Sequence, residues 1–399
     1  MRISVTAVAA KKSGGSTLIL EKLIEHLPKV AVNHHFRFFL SVPFVRSLFN
    51  KLDIDAPKEL DDPIDIADNV DVVAVPPGSQ LERLLWDQLS YPRLLKQFRP
   101  DVNVNALGFG PLYPKVPQCT FLKDSTYFCP MRSYQRGLVE RARIELGRLL
   151  LLQVMARSEC VVVPSKALAE TITSAARGIE QKLVVLRDPF EADYKDPDER
   201  REQGELSPGG TPVRILYLSH LEPHKAHSFL PLVALELEKQ TLRNFTFVVA
   251  IDRADSPRLY DAFIAEIRRT GTAEYFEVHP RLSPAEVSQE LACADVFFFP
   301  SLCESFGYPM AEAGAAGIPV VASHTAINKE MLGEEAIYFE SLRADKAAEA
   351  LKSVIEDASV RRACARAIQR HQRSLFLGWE EYSQRAIKII TGIVDARKR

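Results

Sequence analysis

The strongest constraint on the fold is a repeated alternation of short apolar runs with longer segments of helical period along both halves of the chain. This alternation is typical of parallel sheets whose strands are joined by crossover helices, so we predict an α/β protein. The predicted strands are Ile3–Ala9, Phe36–Val42, Val70–Val75, Val102–Ala106, Cys119–Leu122, Cys160–Pro164 and Leu183–Leu186 in the first half, and Val213–Ser219, Phe245–Ile251, Tyr275–His279, Val296–Pro300, Val320–Ser323 and Ile337–Phe339 in the second.

A polar segment separates the two halves. Residues 196–210 are charged and rich in glycine and proline, which is typical of a linker. The 399 residues suffice for two domains of ordinary size. We therefore predict an N-terminal Rossmann-like domain over residues 1–195 and a C-terminal one over residues 211–372, with a ligand cleft at the carboxyl ends of their strands. A last helix is predicted to begin at Trp379.

Composition and charge narrow the class of protein. The formal net charge of −1 gives no overall attraction to nucleic acid. Every apolar run is far shorter than the roughly 20 residues of a membrane-spanning helix. The six cysteines include no C-x-x-C pair, so neither a disulfide framework nor a cysteine zinc site is indicated. The early apolar run leads into a glycine-rich turn, as a first strand does, and is short for a signal peptide. These features predict a soluble, cytoplasmic protein.

One strand, loop and helix start carries two carboxylates. Residues 301–313 follow the predicted strand that ends at Pro300, and Pro309 is favoured in the first turn of a helix. A helix start offers free N–H groups and the positive end of a dipole, which is a favourable place for phosphate. Glu304 in the loop and Glu312 in the helix can accept hydrogen bonds from sugar hydroxyls. The segment therefore predicts an anion site flanked by two glutamates.

This segment resembles the paired-glutamate motif of the retaining glycosyltransferases of family 4. The resemblance includes the seven residues between Glu304 and Glu312, the preceding run 294–301, the run 317–323 and the following Glu330. It implies the GT-B fold, with two Rossmann-like domains facing each other across a cleft and a final helix, 379–399, returning to the first domain. The alternative is a helix that completes the second domain.

The same resemblance implies a reaction and its partners. A sugar would pass from a nucleotide-diphosphate donor to a glycan, a lipid-linked or another hydroxyl acceptor, with retention of configuration and without cofactor or metal. Glu312 would bind the ribose hydroxyls. Glu304, with the neighbouring residues Ser305, Phe306 and Gly307, would hold the donor sugar and the diphosphate. The base would lie near residues 279–282, where Pro280 replaces the usual glycine, so the identity of the base stays open.

A second segment would grip the diphosphate. Residues 216–225 follow the first strand of the second domain and resemble the family segment Gly-Arg-Leu-x-x-x-Lys. Lys225 matches the lysine, a candidate for both binding and catalysis, while Ser219 stands at the glycine and His220 at the arginine. Because imidazole is only partly protonated near neutrality, this replacement predicts a weaker or pH-dependent grip.

Histidine spacing in this segment also raises a metal hypothesis. His220, His224 and His227 would share one face of a helix. Pro223 opposes a continuous helix there. The order of residues also differs from the zincin pattern, in which glutamate directly follows the first histidine. We therefore predict no metal site.

Two further candidates lie in the first domain. Gly14 and Gly15 lie between a strand and a helix, where backbone N–H groups can approach an anion. The family has a glycine-rich loop there that closes over donor phosphate and acceptor. Asp124 matches the aspartate of a family His-Asp pair and is a candidate for catalysis at the acceptor, although a turn cap explains it equally well. Lys123 replaces the histidine, so that residue's role is not carried over.

The remaining alternatives concern membranes and activity. Residues 137–152 form a helical pattern with arginines and leucines on different sides. Family members with lipid-linked acceptors dock on membranes through such helices. This predicts either peripheral contact at the inner face of the membrane or, as the favoured reading, an ordinary crossover helix. The replacements His220 and Lys123 leave a catalytically silent sugar-nucleotide-binding subunit as the alternative function. An epimerase or hydrolase of the same fold is disfavoured by the glutamate pair.

Overall fold

The computed structural model of the chain describes residues 1–8, 15–52, 62–76, 78–197 and 212–398. The chain folds into two compact units. The first comprises Met1–Phe128, Ala142–Pro189 and Leu377–Arg399, and the second comprises Cys129–Arg141 and Phe190–Phe376. Most of the predicted linker, from residue 198 onward, lies outside the described residues.

The first unit is built on an eight-stranded sheet. Its strand order is β3-β4-β2-β1-β5-β6-β7-β8, and all neighbours are parallel except β3 and β4. The strands are β1 (Arg2–Ala7), β2 (His35–Ser41), β3 (Ile64–Ala67), β4 (Val70–Val75), β5 (Val102–Asn105), β6 (Gln118–Phe121), β7 (Cys160–Val163) and β8 (Leu183–Val185). The helices are α1 (Gly15–Val30), α2 (Val42–Leu52), α3 (Gln80–Leu85), α4 (Tyr91–Phe98), α5 (Leu138–Arg157) and α6 (Lys166–Ala175).

The second unit contains a six-stranded parallel sheet. Its order is β11-β10-β9-β12-β13-β14, the doubly wound order of a Rossmann fold. The strands are β9 (Val213–Leu218), β10 (Phe245–Ala250), β11 (Phe276–His279), β12 (Val296–Phe299), β13 (Val320–Ser323) and β14 (Ile337–Phe339). The helices are α7 (Leu230–Lys239), α8 (Pro257–Thr270), α9 (Pro284–Cys293), α10 (Tyr308–Ala315), α11 (Ala326–Leu332), α12 (Ala344–Glu356) and α13 (Ala358–Leu375). The last helix of the chain, α14 (Trp379–Lys398), belongs to the first unit.

The structure confirms the predicted α/β class with two parallel sheets. Strand β3 was not predicted from the sequence: it is a four-residue edge strand in which half-buried and exposed residues alternate, so it forms no continuous apolar run. The two units differ from the predicted domains in two places: residues 190–195 and residues 129–141, both predicted in the first domain, belong to the second unit. Residues 129–141 precede the linker in sequence, yet their contacts place them in the second unit. Within the described residues, no helix is both long and apolar enough to cross a membrane.

A buried ionic cluster attaches α14 to the first unit. Nζ of Lys123 donates hydrogen bonds to Oδ1 of Asp188 and, over 2.9 Å, to the hydroxyl of Tyr382 on α14. The side chains of Lys123 and Asp188 are 4% and 3% exposed. Burial favours the neutral amine, but the charge of Asp188 and the two hydrogen bonds outweigh it and raise the pKa of Lys123. The lysine at the position of the family histidine is therefore fully engaged in holding the unit together.

Candidate functional site

Two loops meet at the switch point of the second sheet, where the strand order reverses. Strands β9 and β12 are neighbours there, with Leu216 paired to Phe297. We call residues 219–226 the β9 loop and residues 300–307 the β12 loop. The backbone N–H of Leu302 donates to the carbonyl of His224 over 2.8 Å, so a hydrogen bond joins the two loops. Open α/β sheets bind ligands at such a point.

Lys225 and Glu304 form an ion pair across these loops. Lys225 ends a 3-10 turn, Pro223–Lys225, and its carbonyl accepts a 2.6 Å hydrogen bond from the hydroxyl of Tyr217. Its Nζ contacts Oε1 of Glu304, and the two side chains are 15% and 9% exposed. The sequence singled out both residues separately, and the structure brings them together as one pair.

The helix start behind the β12 loop is fixed by glycine and aromatic packing. Gly307 caps α10 with φ of 90°, in the left-handed region, and an added Cβ would lie 2.4 Å from Cε of Met310. Phe306 is buried, with its ring centroid 5.4 Å from that of Phe376, and Ser305 is partly buried beside it. The first N–H groups of α10 are thereby held in one orientation.

Glu312 stands apart from the other carboxylates of the site. It lies in α10 and is partly buried. Across the described ranges, its carboxylate has neither a hydrogen bond nor an ion pair. Burial raises its pKa from the usual 4.5 to about 7. Burying a carboxylate without hydrogen-bond donors is unfavourable for folding. Such groups are typical of binding sites, where a ligand supplies the donors.

The three histidines of the β9 segment have different surroundings. His220 is 54% exposed, with Nδ1 4.0 Å from Oδ2 of Asp255. Ser219 bonds through Oγ to the carbonyl of His220 over 3.2 Å. His224 and His227 are withdrawn from solvent, and burial lowers the pKa of His227 to about 3. Nowhere in the described ranges do three metal-ligating side chains of the His, Cys, Asp or Glu type come together.

The first-unit candidates are less informative. Gly14 lies outside the described residues, and Gly15 is the first residue of α1. Asp124 is exposed, and its Oδ1 accepts a 2.8 Å hydrogen bond from the N–H of Thr126. This is the turn-capping geometry that the sequence offered as one of two explanations. A role for Asp124 at the acceptor stays a prediction.

One charged residue near these loops was not predicted from the sequence. Arg136 belongs to the segment 129–141, and its Nη2 lies 3.9 Å from Oε2 of Glu222 in the β9 loop. Its side chain is only 3% exposed. No local sequence pattern could have identified Arg136, because Arg136 and Glu222 are distant in sequence.

Comparison with known proteins agrees with this geometry. Residues 198–371 match the family model described as "Glycosyl transferases group 1". The match covers most of the second unit and less than half of the whole chain. A D-inositol 3-phosphate glycosyltransferase from Segniliparus rotundus is 24% identical over 172 residues, which span 43% of this chain and 38% of that relative.

Solved structures extend the likeness to nearly the whole length of the chain. HepE from Anabaena, crystallised with UDP and glucose, superimposes with a TM-score of 0.68 at 17% identity, covering 98% of this chain and 100% of HepE. Sucrose-phosphate synthase from Thermosynechococcus elongatus superimposes with a TM-score of 0.72 at 15% identity, covering 99% of each chain. These neighbours confirm the predicted GT-B fold.

Proposed function

We propose that the protein is a retaining glycosyltransferase that moves a sugar from a nucleotide-diphosphate donor to a hydroxyl acceptor. The observation that carries this proposal is the arrangement at the switch point of the second sheet. There, Lys225 is paired with Glu304, and Glu312 is held without a partner of its own among the described residues. A cation for phosphate and a carboxylate for hydroxyls are the groups that a sugar nucleotide requires.

Each group has a role that follows from its surroundings. Glu312 would accept hydrogen bonds from the two ribose hydroxyls, which supply the donors that this carboxylate lacks. The backbone N–H groups of Phe306 and Gly307, directly before α10, and the ammonium of Lys225 would face the diphosphate. Glu304 would then turn from Lys225 toward the hydroxyls of the donor sugar. HepE was crystallised with UDP and glucose, which makes UDP the first nucleotide to test here.

Catalysis would rest on charge that develops on the leaving group. As the bond from the anomeric carbon to the diphosphate breaks, negative charge grows on the phosphate oxygens. Preorganised cations and N–H donors lower the energy of that state more than that of the bound donor. Lys225 and the start of α10 are placed for this role, and no divalent ion is required by the proposal.

The experiment is a calorimetric titration with UDP, GDP and ADP. One nucleotide is expected to bind the wild type, and Glu312→Ala should weaken that binding by about 1.5–3 kcal/mol, the value of hydrogen bonds to a charged group. Lys239→Ala, which removes an exposed lysine of α7 in the same unit, is the control and should bind normally. A wild type that binds none of the three nucleotides would overturn the proposal.

The acceptor and any membrane contact stay predictions. One observation supports peripheral contact: α5 carries four exposed apolar side chains, Leu138, Val139, Leu146 and Leu149. Sedimentation with anionic vesicles tests it, and Leu146→Glu should reduce the bound fraction. Equal sedimentation of both proteins would favour the ordinary crossover helix.

A further inference from the structure

Residues 129–141 bring a positive charge from the first half of the sequence to the site. We call them the Arg136 segment. Its contacts place it in the second unit. The thiol of Cys129 is hydrogen-bonded to that of Cys303 in the β12 loop. At the other side, Nη1 of Arg258 on α8 donates to the carbonyl of Gln135 over 3.0 Å. The segment is thus attached at two points to the unit that carries the proposed donor site.

The guanidinium of Arg136 is buried with unused hydrogen-bonding capacity. Its Nε lies 3.3 Å from Oε1 of Glu140, yet this atom has no aligned hydrogen-bond partner among the described residues. Its Nη2 lies 3.9 Å from Oε2 of Glu222, which is beyond hydrogen-bond distance. A guanidinium carries five N–H donors, and leaving buried donors unsatisfied is costly. Such a group needs an explanation, and a ligand with acceptor oxygens would supply one.

Arg136 approaches the β9 loop, which also carries Lys225. Glu222, which it approaches, lies in the β9 loop three residues before Lys225. Burial lowers the pKa of His224 well below 6.5, and the charges of Lys225 and Arg136 lower it further. The two cations therefore act on the same imidazole, which directly precedes Lys225. On the other side, Cys129 accepts a hydrogen bond from the thiol of Cys303, the neighbour of Glu304.

Each cation near the site faces at least one carboxylate, Arg136 included, so the cations differ in geometry and permanence of charge. Lys225 is matched by Glu304 before any ligand arrives. His220 stands at the place of the family arginine, but it is 54% exposed and directed toward Asp255. Arg136 holds a permanent charge, and its planar fork suits the paired oxygens of a phosphate better than imidazole does.

We infer that Arg136 binds the diphosphate of the donor and provides the cation that the replacement at His220 removes. This inference rests on the proposed function. Phosphate oxygens would accept hydrogen bonds from the N–H groups of Arg136. Glu222, whose side chain is 42% exposed, would lose its 3.9 Å contact with Arg136 and become solvated. The Arg136 segment would then be a part of the donor site contributed by a distant stretch of sequence.

The test compares a nucleoside with its diphosphate, using whichever of UDP, GDP or ADP binds the wild type. Arg136→Gln should weaken diphosphate binding about 10- to 100-fold, the loss expected for hydrogen bonds to a charged group, while nucleoside binding, followed by ligand-observed NMR, stays unchanged. Arg243→Gln removes an exposed arginine of the same unit and is the matched control. Adding His220→Arg to Arg136→Gln should restore part of the diphosphate affinity, which a purely structural arginine would not allow.

A second variant keeps the inference testable if Arg136→Gln does not fold. Glu222→Gln removes the carboxylate that competes for the guanidinium, and it should tighten diphosphate binding about two- to fivefold, the value of a partly exposed ion pair. Unchanged diphosphate affinity in a folded Arg136→Gln protein, or in Glu222→Gln, would overturn the inference alone. A wild type that binds no nucleotide would overturn the proposed function and this inference with it.

Discussion

Replacing Glu312 by glutamine should make the second unit more stable at alkaline pH. The folded structure raises the pKa of this carboxyl from 4.5 to about 7 by burial. A raised pKa means that the stability contributed by the group is fully present below pH 4.5 and is lost as pH rises through 7. Each pKa unit corresponds to about 1.4 kcal/mol. Between pH 5 and pH 8, the stability of Glu312→Gln relative to wild type should therefore rise by about 2–3 kcal/mol.

Differential scanning calorimetry at both pH values measures this change. For a unit of 150–250 residues, the melting temperature of the variant relative to wild type should rise by about 5–10 °C from pH 5 to pH 8. Using the difference between two pH values removes the constant cost of burying an amide, as well as the titration of every other group. Glu330→Gln in the same unit is the control. A variant that follows the wild type at both pH values would refute the reasoning, because Glu312 would then have partners or solvent.

Four further outcomes are expected. Lys123→Met should destabilise the first unit by about 3–5 kcal/mol because it leaves the buried carboxylate of Asp188 unpaired. Adding Asp188→Leu should restore the melting temperature. An unchanged melting temperature in the single variant would contradict the buried ion pair. Lys225→Ala should lower turnover about 100-fold or more, since the negative charge that Lys225 meets is greatest on the departing diphosphate, and an unchanged turnover would exclude this role. Activity should persist in excess EDTA. A loss of activity that added manganese restores would show that the reaction requires a metal. His220→Arg should be tolerated and flatten any loss of activity between about pH 6 and 8, and abolished donor binding would show another role.

Local patterns predicted most of the fold and supplied the residues from which the candidate site is built. Every predicted strand is present because the strands of buried parallel sheets are continuous apolar runs. Glu304, Glu312 and Lys225 could be found because each lies directly after a buried strand or in the helix that follows one. Gly307 could be identified for a different reason: it lies two residues before Pro309, and proline marks the first turn of a helix.

Contacts between distant residues could not be predicted in this way. From the sequence, Lys123 is only a replacement of the family histidine. The structure shows that it pairs with Asp188, and no sequence spacing predicts that pairing. Arg136 lies in a segment that sequence order assigns to the first domain, yet it contacts Glu222 of the second unit. The pKa of Glu312 likewise follows from tertiary burial and not from its neighbours in sequence.

The most direct test of the account is to look for the transferred sugar itself. The purified chain would be incubated in EDTA with the sugar nucleotide whose nucleotide binds in calorimetry and with a set of hydroxyl acceptors. Mass spectrometry and proton NMR would follow the products. The account predicts an acceptor enlarged by one sugar, free nucleoside diphosphate in equal amount, and the anomeric configuration of the donor retained. A product of inverted configuration, or a donor that binds tightly but is never consumed with any acceptor, would contradict it.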